Sequence, residues 1–429
     1  MMHKILQFKL KIMAKLVIRR YQPHIIGITG SIGKTSAKEA VCTVLAGRFR
    51  VRASFKNYNN ELGLPLTIIG HESAGKSLSG WLAIFIKAWK LVLVKDKNYP
   101  EVLVLEMGVD RPGDMSYLCS IIVPEIGIET AVSYSHLEFF GSVQNIKKEK
   151  QVLIENVINK GLAVLNYDNE FTREMSAVSR AKVITYGLTD GADLKAQDIS
   201  YNFSKGDYEL SGLHFKMSYN GSIVPVFMKN VLSEPAIYAA LAGAAAGLYF
   251  EMNLVEIASA LNDFNLPVGR MNLLAGFNHS FIIDDTYNSS PEACLAALAV
   301  LGNIRISEEG KKYAVLGDML EIGNYTEEGH KLVGEKTAKN GIDYLVAVGE
   351  QAKFISKGAR AAGFKEENIF YFNDSIAAGE FLKSKINNGD VILVKGSQSM
   401  RMEKATKCIL AEPERAKELL VRQGSQWQE

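Results

Sequence analysis

A glycine-rich turn carrying a lysine and four hydroxyl residues is the part of this 429-residue chain best suited to chemistry. Residues 26–36 read IGITGSIGKTS, after an apolar run and before a helical pattern. Glycine lets backbone N–H groups approach a polyphosphate, lysine adds positive charge, and a threonine hydroxyl can ligate Mg²⁺. Ile28 stands where the strict G-x-x-x-x-G-K-[ST] spacing needs glycine, so the match is to the variant T-G-x-x-G-K-[ST]. We therefore predict binding of ATP with Mg²⁺ by Thr29, Gly30, Ser31, Gly33, Lys34, Thr35 and Ser36; a chance glycine-rich turn is the alternative.

Three further side chains could assist a nucleotide reaction. Glu106 ends an apolar run beside a glycine, and open α/β sheets place their ligands at the carboxyl ends of strands, where a carboxylate suits Mg²⁺. His136 follows another strand candidate, and Lys150 lies in the charged run Lys147–Lys150 of a predicted helix. Each has an ordinary alternative when considered alone: a solvated acid, a structural histidine and a solvated helix face.

Apolar runs that alternate with helical patterns indicate the elements that position these residues. Such alternation predicts a mostly parallel sheet covered by helices, twice along the chain. The predicted strands of the first sheet are Ile25–Thr29, Val102–Glu106, Ile126–Val132, Leu162–Leu165 and Val183–Tyr186. Those of the second are Phe281–Asp284, Tyr313–Leu316, Tyr344–Val348, Ile369–Phe372 and Val391–Val394.

Between the two sheets the pattern changes. Short alternating segments on either side of Asn220-Gly221 predict an antiparallel hairpin, and two helices, 236–249 and 254–261, follow it. We therefore divide the chain into an N-terminal helix (1–23), a central domain (24–265) with an inserted apolar segment (71–100), and a C-terminal domain (266–429). The fold class is α/β, with a P-loop ATPase-type central domain and a Rossmann-like C-terminal domain.

Composition is that of an ordinary globular protein, with 47% hydrophobic and 22% charged residues. The four cysteines are scattered without C-x-x-C pairs, which argues against a disulfide framework or zinc site and favours a reducing cytoplasm. The net charge is only +2, and we expect no nucleic-acid partner.

Two segments raise the question of a membrane. Residues 1–20 carry six basic side chains and no acidic one, with apolar residues at helical spacing, so they form either an interfacial helix or a helix packed on the body of the protein. Residues 78–94 are apolar but interrupted by Lys87 and Lys90 and short for a span. We interpret them as a helix covering a domain, with membrane-surface contact or self-association as alternatives.

Several motifs occur in the order seen in Mur ligases. Over roughly residues 24–410 the chain resembles this family, and most closely its MurF branch, which adds D-alanyl-D-alanine to a peptidoglycan precursor. Besides the glycine-rich turn, the motifs are NYNNELGLP (57–65), LEMG (105–108), SHLEFFGS (135–142), GR (269–270), DDTYNSSP (284–291), LGDMLEIG (316–323) and VKGSQSMRME (394–403).

The resemblance implies an ATP-dependent carbon–nitrogen ligase that activates a carboxylate as an acyl phosphate and lets an amine attack it. By resemblance, Lys34, His136 and Lys150 are catalytic; Thr35, Glu106, His136 and Lys150, the last as a carbamate, support Mg²⁺. Arg270, Asp285 and Asn288 match residues that contact ATP from the C-terminal domain. The residues matching substrate-binding positions are Asn59, Asn60, Asp318, Glu321, Lys395 and Ser397.

The pattern departs from that of MurF in two places. The phosphate loop follows almost directly on the basic segment, so we expect no separate N-terminal UDP-binding domain in this chain. Ser233, Pro235 and Ala239 replace polar residues usual in the family. Either the central domain and the inserted segment hold the acceptor, or the acceptor is not the usual soluble UDP-linked one.

The leading hypothesis is a MurF-type ligase acting in the cytoplasm, with peripheral membrane contact through residues 1–20. The alternatives are a folylpolyglutamate synthase-like ligase with another acceptor and a non-catalytic nucleotide-binding scaffold.

Overall fold

The two alternating patterns produce two sheets in the computed structural model, which describes residues 2–54, 58–133, 137–202, 212–306, 308–320, 322–424 and 427. The described residues divide into two compact units. The first comprises Met1–Ile199, Phe215–Phe227 and Pro235–Phe264; the second comprises Ser200–His214, Met228–Glu234 and Asn265–Glu429. The predicted α/β fold class is confirmed.

The larger sheet has nine strands in the order β2-β3-β1-β4-β5-β6-β7-β8-β9, and its pairings from β2 to β7 are parallel. Its strands are β1 His24–Thr29, β2 Val51–Ala53, β3 Val102–Glu106, β4 Ile126–Glu129, β5 Leu162–Asn166, β6 Lys182–Gly187, β7 Leu194–Asn202, β8 Gly212–Tyr219 and β9 Ser222–Lys229. The turn between β8 and β9, Asn220-Gly221, has positive φ at both residues, as a two-residue hairpin turn requires. Sequence analysis did not identify β2 and β7, and β4 ends three residues earlier than predicted.

Ten helices accompany these strands among the described residues. They are α1 Met2–Tyr21, α2 Lys34–Ala46, α3 Gly63–Ile69, α4 Leu78–Leu93, α5 Asp114–Cys119, α6 Leu137–Phe140, α7 Val143–Glu155, α8 Glu170–Arg173, α9 Pro235–Tyr249 and α10 Leu254–Leu261. The inner face of α1 is part of the core, because Leu10, Ala14 and Val17 are fully buried in the same cluster as α3. Of the two alternatives for residues 1–20, the structure thus shows a helix packed on the body of the protein, although the outer face of this helix stays exposed.

The smaller sheet has six strands in the order β10-β11-β15-β12-β13-β14, parallel except for the antiparallel edge strand β10, which sequence analysis missed. The strands are β10 Asn272–Ala275, β11 Phe281–Asp285, β12 Lys312–Gly317, β13 Tyr344–Val348, β14 Ile369–Phe372 and β15 Val391–Lys395. The helices are α11 Pro291–Asn303, α12 Thr326–Lys339, α13 Ala352–Ala361, α14 Ser375–Lys385, α15 Glu403–Cys408 and α16 Ala416–Leu419.

All four cysteines are present as free thiols, two in each unit. Cys119 and Cys294 are buried, and burial raises the pKa of both thiols, that of Cys119 to about 12. Across the described part of the chain, none of the helices combines the length and the apolar character that crossing a bilayer requires.

Candidate active site

The phosphate loop joins the buried strand β1 to helix α2 in the first unit. Gly33 is the N-cap of α2 with φ 84°, and Gly30 has φ 146°, conformations that favour glycine. A Cβ atom on Gly30 would lie 1.9 Å from Oγ1 of Thr130, so no larger residue fits. The Lys34 ammonium donates a hydrogen bond of 2.6 Å to the Gly30 carbonyl, and the N–H groups at the start of α2 favour an anion there.

Glu106 lies beside this loop because β3 pairs with β1 in parallel, with Glu106 opposite Ile28. Its carboxylate is buried and accepts hydrogen bonds from the Thr35 hydroxyl at 3.1 Å and from the Asn59 amide at 3.2 Å. The structure thus brings together three residues that the sequence places far apart. A hydroxyl and a carboxylate in contact supply hard oxygen ligands of the kind Mg²⁺ prefers.

Lys38 also contacts this group, and sequence analysis did not identify it. Its buried ammonium lies 4.0 Å from the Glu106 carboxylate and donates to the Ser54 carbonyl at 2.9 Å. The available signal was its spacing, one helical turn after Lys34 on α2.

Lys150 is buried on the inner face of α7, close to a second carboxylate that sequence analysis missed. Glu129 ends β4 directly opposite Thr29 of β1, and neither of its carboxylate oxygens has a hydrogen-bond partner among the described residues. Burial lowers the pKa of Lys150 and raises that of Glu129, while the charge of each opposes the shift of the other. Only the pairing of β4 with β1, which the sequence does not reveal, identifies Glu129 as a neighbour of the phosphate loop.

A cavity of about 990 Å³ lies beside the phosphate loop and Lys150, within the first unit. Its walls include Gly30, Ser31 and Lys34 of the loop, the asparagines at 59 and 60, Lys150, the segment 108–114 and Gln7 of α1. The volume is that of a substrate cleft. Predicted nucleotide-binding and precursor-binding residues therefore surround one space.

The remaining predicted residues of this unit have structural contacts as well. The Thr29 hydroxyl donates to the Met107 carbonyl at 2.8 Å, and the Asn60 side-chain oxygen accepts from the amide of Gly63, the first residue of α3, at 2.9 Å. Ser36 lies in the first turn of α2. His136 lies outside the described residues.

In the second unit, the predicted residues meet at the carboxyl ends of β11 and β15. These strands pair in parallel with Asp285 opposite Lys395, and the Lys395 ammonium lies 2.6 Å from the Asp285 carboxylate and 2.9 Å from the Asn288 carbonyl. The ion pair is nearly inaccessible to solvent. The Ser397 hydroxyl accepts from the Leu320 amide at 2.8 Å.

Three other acidic or basic residues belong to this edge. The Arg270 guanidinium stacks 4.1 Å from the centre of the Tyr287 ring. The Asp318 carboxylate accepts from the Ala352 amide at 2.7 Å. Asp284, which sequence analysis did not select, is fully buried, and burial raises its pKa to about 7. Glu321 lies outside the described residues.

Comparison with known sequences and structures gives the family. The sequence model of the Mur ligase middle domain matches residues 86–246, and that of the Mur ligase glutamate ligase domain matches residues 269–398. The chain is 29% identical over 402 residues to the UDP-N-acetylmuramoyl-tripeptide–D-alanyl-D-alanine ligase of Bacillus subtilis, covering 94% of this chain and 79% of that one. The Escherichia coli enzyme of the same name is 27% identical over 407 residues, covering 92% and 79%.

Solved structures agree with this assignment. MurF from Acinetobacter baumannii superposes with a TM-score of 0.76 at 24% identity, over 93% of this chain and 79% of that one, which shows a shared fold. MurF ligase from Thermotoga maritima in complex with ADP gives 0.71 at 25% identity, over 95% and 84%. This chain belongs to the Mur ligase family of ATP-dependent ligases that form carbon–nitrogen bonds.

Proposed function

We propose that this chain is a MurF-type ligase that joins D-alanyl-D-alanine to a UDP-N-acetylmuramoyl-tripeptide precursor of peptidoglycan. Carboxylate is a poor electrophile, so the acceptor must be activated. ATP transfers its γ-phosphoryl group to the acceptor carboxylate and leaves as ADP. The dipeptide amine then attacks the acyl phosphate, and the tetrahedral intermediate collapses with release of phosphate.

One observation carries this proposal: the phosphate loop and the buried Lys150 line a single cavity, and Thr35 at the end of that loop contacts the buried Glu106 carboxylate. Phosphoryl transfer needs the γ-phosphate and the attacking carboxylate held in line, with their charge neutralised. Lys34 and the N-terminus of α2 neutralise the phosphate oxygens, and Asn59 and Asn60, which line the same cavity, orient the acceptor.

The residues present fit Mg²⁺. No three His, Cys, Asp or Glu side chains cluster as a metal site in the described ranges, and Mg²⁺ commonly takes one or two carboxylates and completes its shell with phosphates and water. Thr35 and Glu106 would hold the ion, together with His136 and Lys150 from the family pattern. When bound, Mg²⁺ neutralises charge on the phosphates.

We further propose that Lys150 is carbamylated. Reaction with CO₂ requires the neutral amine, which burial favours by lowering the pKa of Lys150. Glu129 acts in the opposite sense because its negative charge favours the ammonium. A carbamate would convert the positive charge into a negative one able to support the metal.

In the second unit we assign ATP contacts to Arg270, Asp285 and Asn288, and contacts to the incoming dipeptide to Asp318, Glu321, Lys395 and Ser397. These assignments follow the family pattern, and the domain limits 1–23, 24–265 and 266–429 are proposed with them. We place the enzyme in the cytoplasm, in peripheral contact with the inner face of the membrane through residues 1–20.

An amine-dependent assay tests the function. The protein is incubated with ATP, Mg²⁺ and a panel of acceptors and amines, and ADP and phosphate release are measured with product mass. We expect release with UDP-N-acetylmuramoyl-tripeptide and D-alanyl-D-alanine, and none when the dipeptide amine is blocked by acetylation. Turnover with a different acceptor, or ATP binding without turnover on any, would replace the MurF-type assignment.

A further inference from the structure

Helix α4 exposes a continuous apolar stripe that no described part of the chain covers. Its inner face packs through Ile84, Ala88 and Leu91. On the outer face an apolar residue recurs every three or four positions over the whole length of the helix, and these side chains are 49–80% exposed. They are Leu78, Leu82, Ile86, Trp89 and Leu93, followed by Val94. An apolar face of this extent on a folded protein marks a contact surface.

The charged side chains on α4 itself all have one sign. Neither α4 nor α1 contains an acidic residue, and the acidic residues nearest to α4 in sequence are Glu72 and Asp96, beyond its two ends. Lys90 lies on the exposed side of the helix, and beyond its two ends the exposed lysines at 76, 95 and 97 outnumber these two exposed acids. An apolar helix face with basic residues beside it is the pattern of a helix lying in a membrane interface.

Helix α1 extends this surface. Its C-terminal end is joined to that of α4 through the Tyr21 hydroxyl, which donates to the Val94 carbonyl at 3.2 Å and accepts from the Asp96 amide at 2.9 Å. While Lys11 turns inward over the Tyr117 ring, the outward side chains of α1 are apolar or basic. They are Ile5, Phe8, Lys9, Ile12, Lys15, Arg19 and Arg20.

We propose that the α4 stripe, with the outward side chains of α1, binds the surface of an anionic bilayer. The apolar side chains enter the interface between headgroups and acyl chains, and the lysines and arginines contact lipid phosphates. Trp89 lies within the stripe, and tryptophan is favoured at this depth. The inference rests on the proposed peripheral location and adds α4 to it; it does not depend on the ligase reaction.

The surface borders the candidate active site. Gln7 of α1 lines the cavity and donates a hydrogen bond of 2.9 Å to Glu61 at the start of the α3 region. The helix that carries Ile5 and Phe8 outward therefore forms part of the cavity wall. Docking by this face holds the cleft close to the lipid headgroups.

Vesicle co-sedimentation without ATP or substrate tests the proposal. We expect binding to phosphatidylglycerol-containing vesicles that weakens with salt. Partitioning of Leu82→Glu/Ile86→Glu should be about 100-fold weaker, because each side chain kept out of the interface costs about tenfold. Ile223→Glu and Val255→Glu change equally exposed apolar residues elsewhere and should bind like the parent. Thermal melts check folding, which exposed substitutions should preserve.

Two further measurements separate the outcomes. Brominated lipids should quench the fluorescence of Trp89, so that quenching is smaller in Trp89→Phe than in the parent. The double variant Arg19→Gln/Arg20→Gln should reduce the salt dependence of vesicle binding. If only the arginine variant weakens binding, α4 is not the docking helix and residues 1–20 act alone. If only the α4 variant weakens binding, α4 docks alone and the outward side chains of α1 take no part. The proposal is overturned if the parent does not bind anionic vesicles at low salt. It is also overturned if the parent is a dimer that binds no lipid and that Leu82→Glu/Ile86→Glu converts to a monomer, because the stripe is then a dimer interface.

Discussion

Each sheet places an acidic side chain at the carboxyl end of a parallel strand with basic side chains nearby, yet the two units use these charges differently. In the first unit Glu106 contacts a hydroxyl and an amide, and Lys34 and Lys150 line a cavity. In the second unit Lys395 and Asp285 neutralise each other in a buried ion pair. The same strand topology thus supports an open binding site in one unit and an internally satisfied charge pair in the other.

The difference teaches how to interpret a charged strand end. In the first unit the glycines of the turn carry no side chain, so ligand oxygens can approach the N–H groups at the start of α2. In the second unit the strand register places Asp285 beside Lys395, so that the two charged side chains pair with each other. Substitutions in the first unit should therefore reduce activity before stability, and substitutions in the ion pair should reduce stability as well as activity.

The largest effect is expected for Lys395→Met. Removing one partner leaves the Asp285 carboxylate buried and unpaired, which should reduce the free energy of unfolding by about 3–5 kcal/mol. Urea unfolding measures this free energy, and Lys339→Met, on the exposed end of α12, is the control. The double variant Lys395→Met/Asp285→Leu should lose less than the single one. An unchanged urea midpoint for Lys395→Met would show that the pair is not a stabilising element, and the contrast between the units would disappear.

Lys34→Ala should give the next largest effect, on rate and not on stability. Loss of one preorganised cationic contact to the phosphates should slow ligation by about 10²–10³-fold. Steady-state ADP release and a thermal melt measure the two properties, with Lys160→Ala as an exposed control. Near-normal turnover would remove the phosphate loop from the reaction.

A smaller loss is expected for Lys150→Ala, roughly 10- to 100-fold in activity, as for outer ligands of a metal site. Lys148→Ala, two residues away on the exposed face of α7, provides the matched control. Bicarbonate should not restore the Lys150 variant, whereas formate or acetate should do so in part by replacing carbamate oxygens. Full activity in the variant would exclude the carbamate.

The sequence predicted those parts of the fold that have a strong local pattern. Long apolar strands such as β3 and β13, and the helix over residues 254–261, were placed with their observed limits. The three-residue β2, the edge strand β10 and the polar β7 have too little pattern to detect. The phosphate loop could be predicted because its chemistry is contiguous in sequence.

Contacts between distant segments could not be predicted. Glu129 becomes a neighbour of the phosphate loop only through the pairing of β4 with β1. Asp285 and Lys395 were assigned separate roles, although strand register joins them. The two faces of α1 look alike in sequence, and only packing shows which residues are buried.

The buried thiols give each unit its own reporter. Because burial raises the pKa of Cys119 and Cys294, reaction with a maleimide must await a local or global opening that exposes the sulfur. Pulsed alkylation at increasing urea, followed by peptide mass spectrometry, would follow the opening of the first unit at Cys119 and of the second at Cys294 in the same sample. The native sequence can thus report the cohesion of its two units separately, without an introduced label.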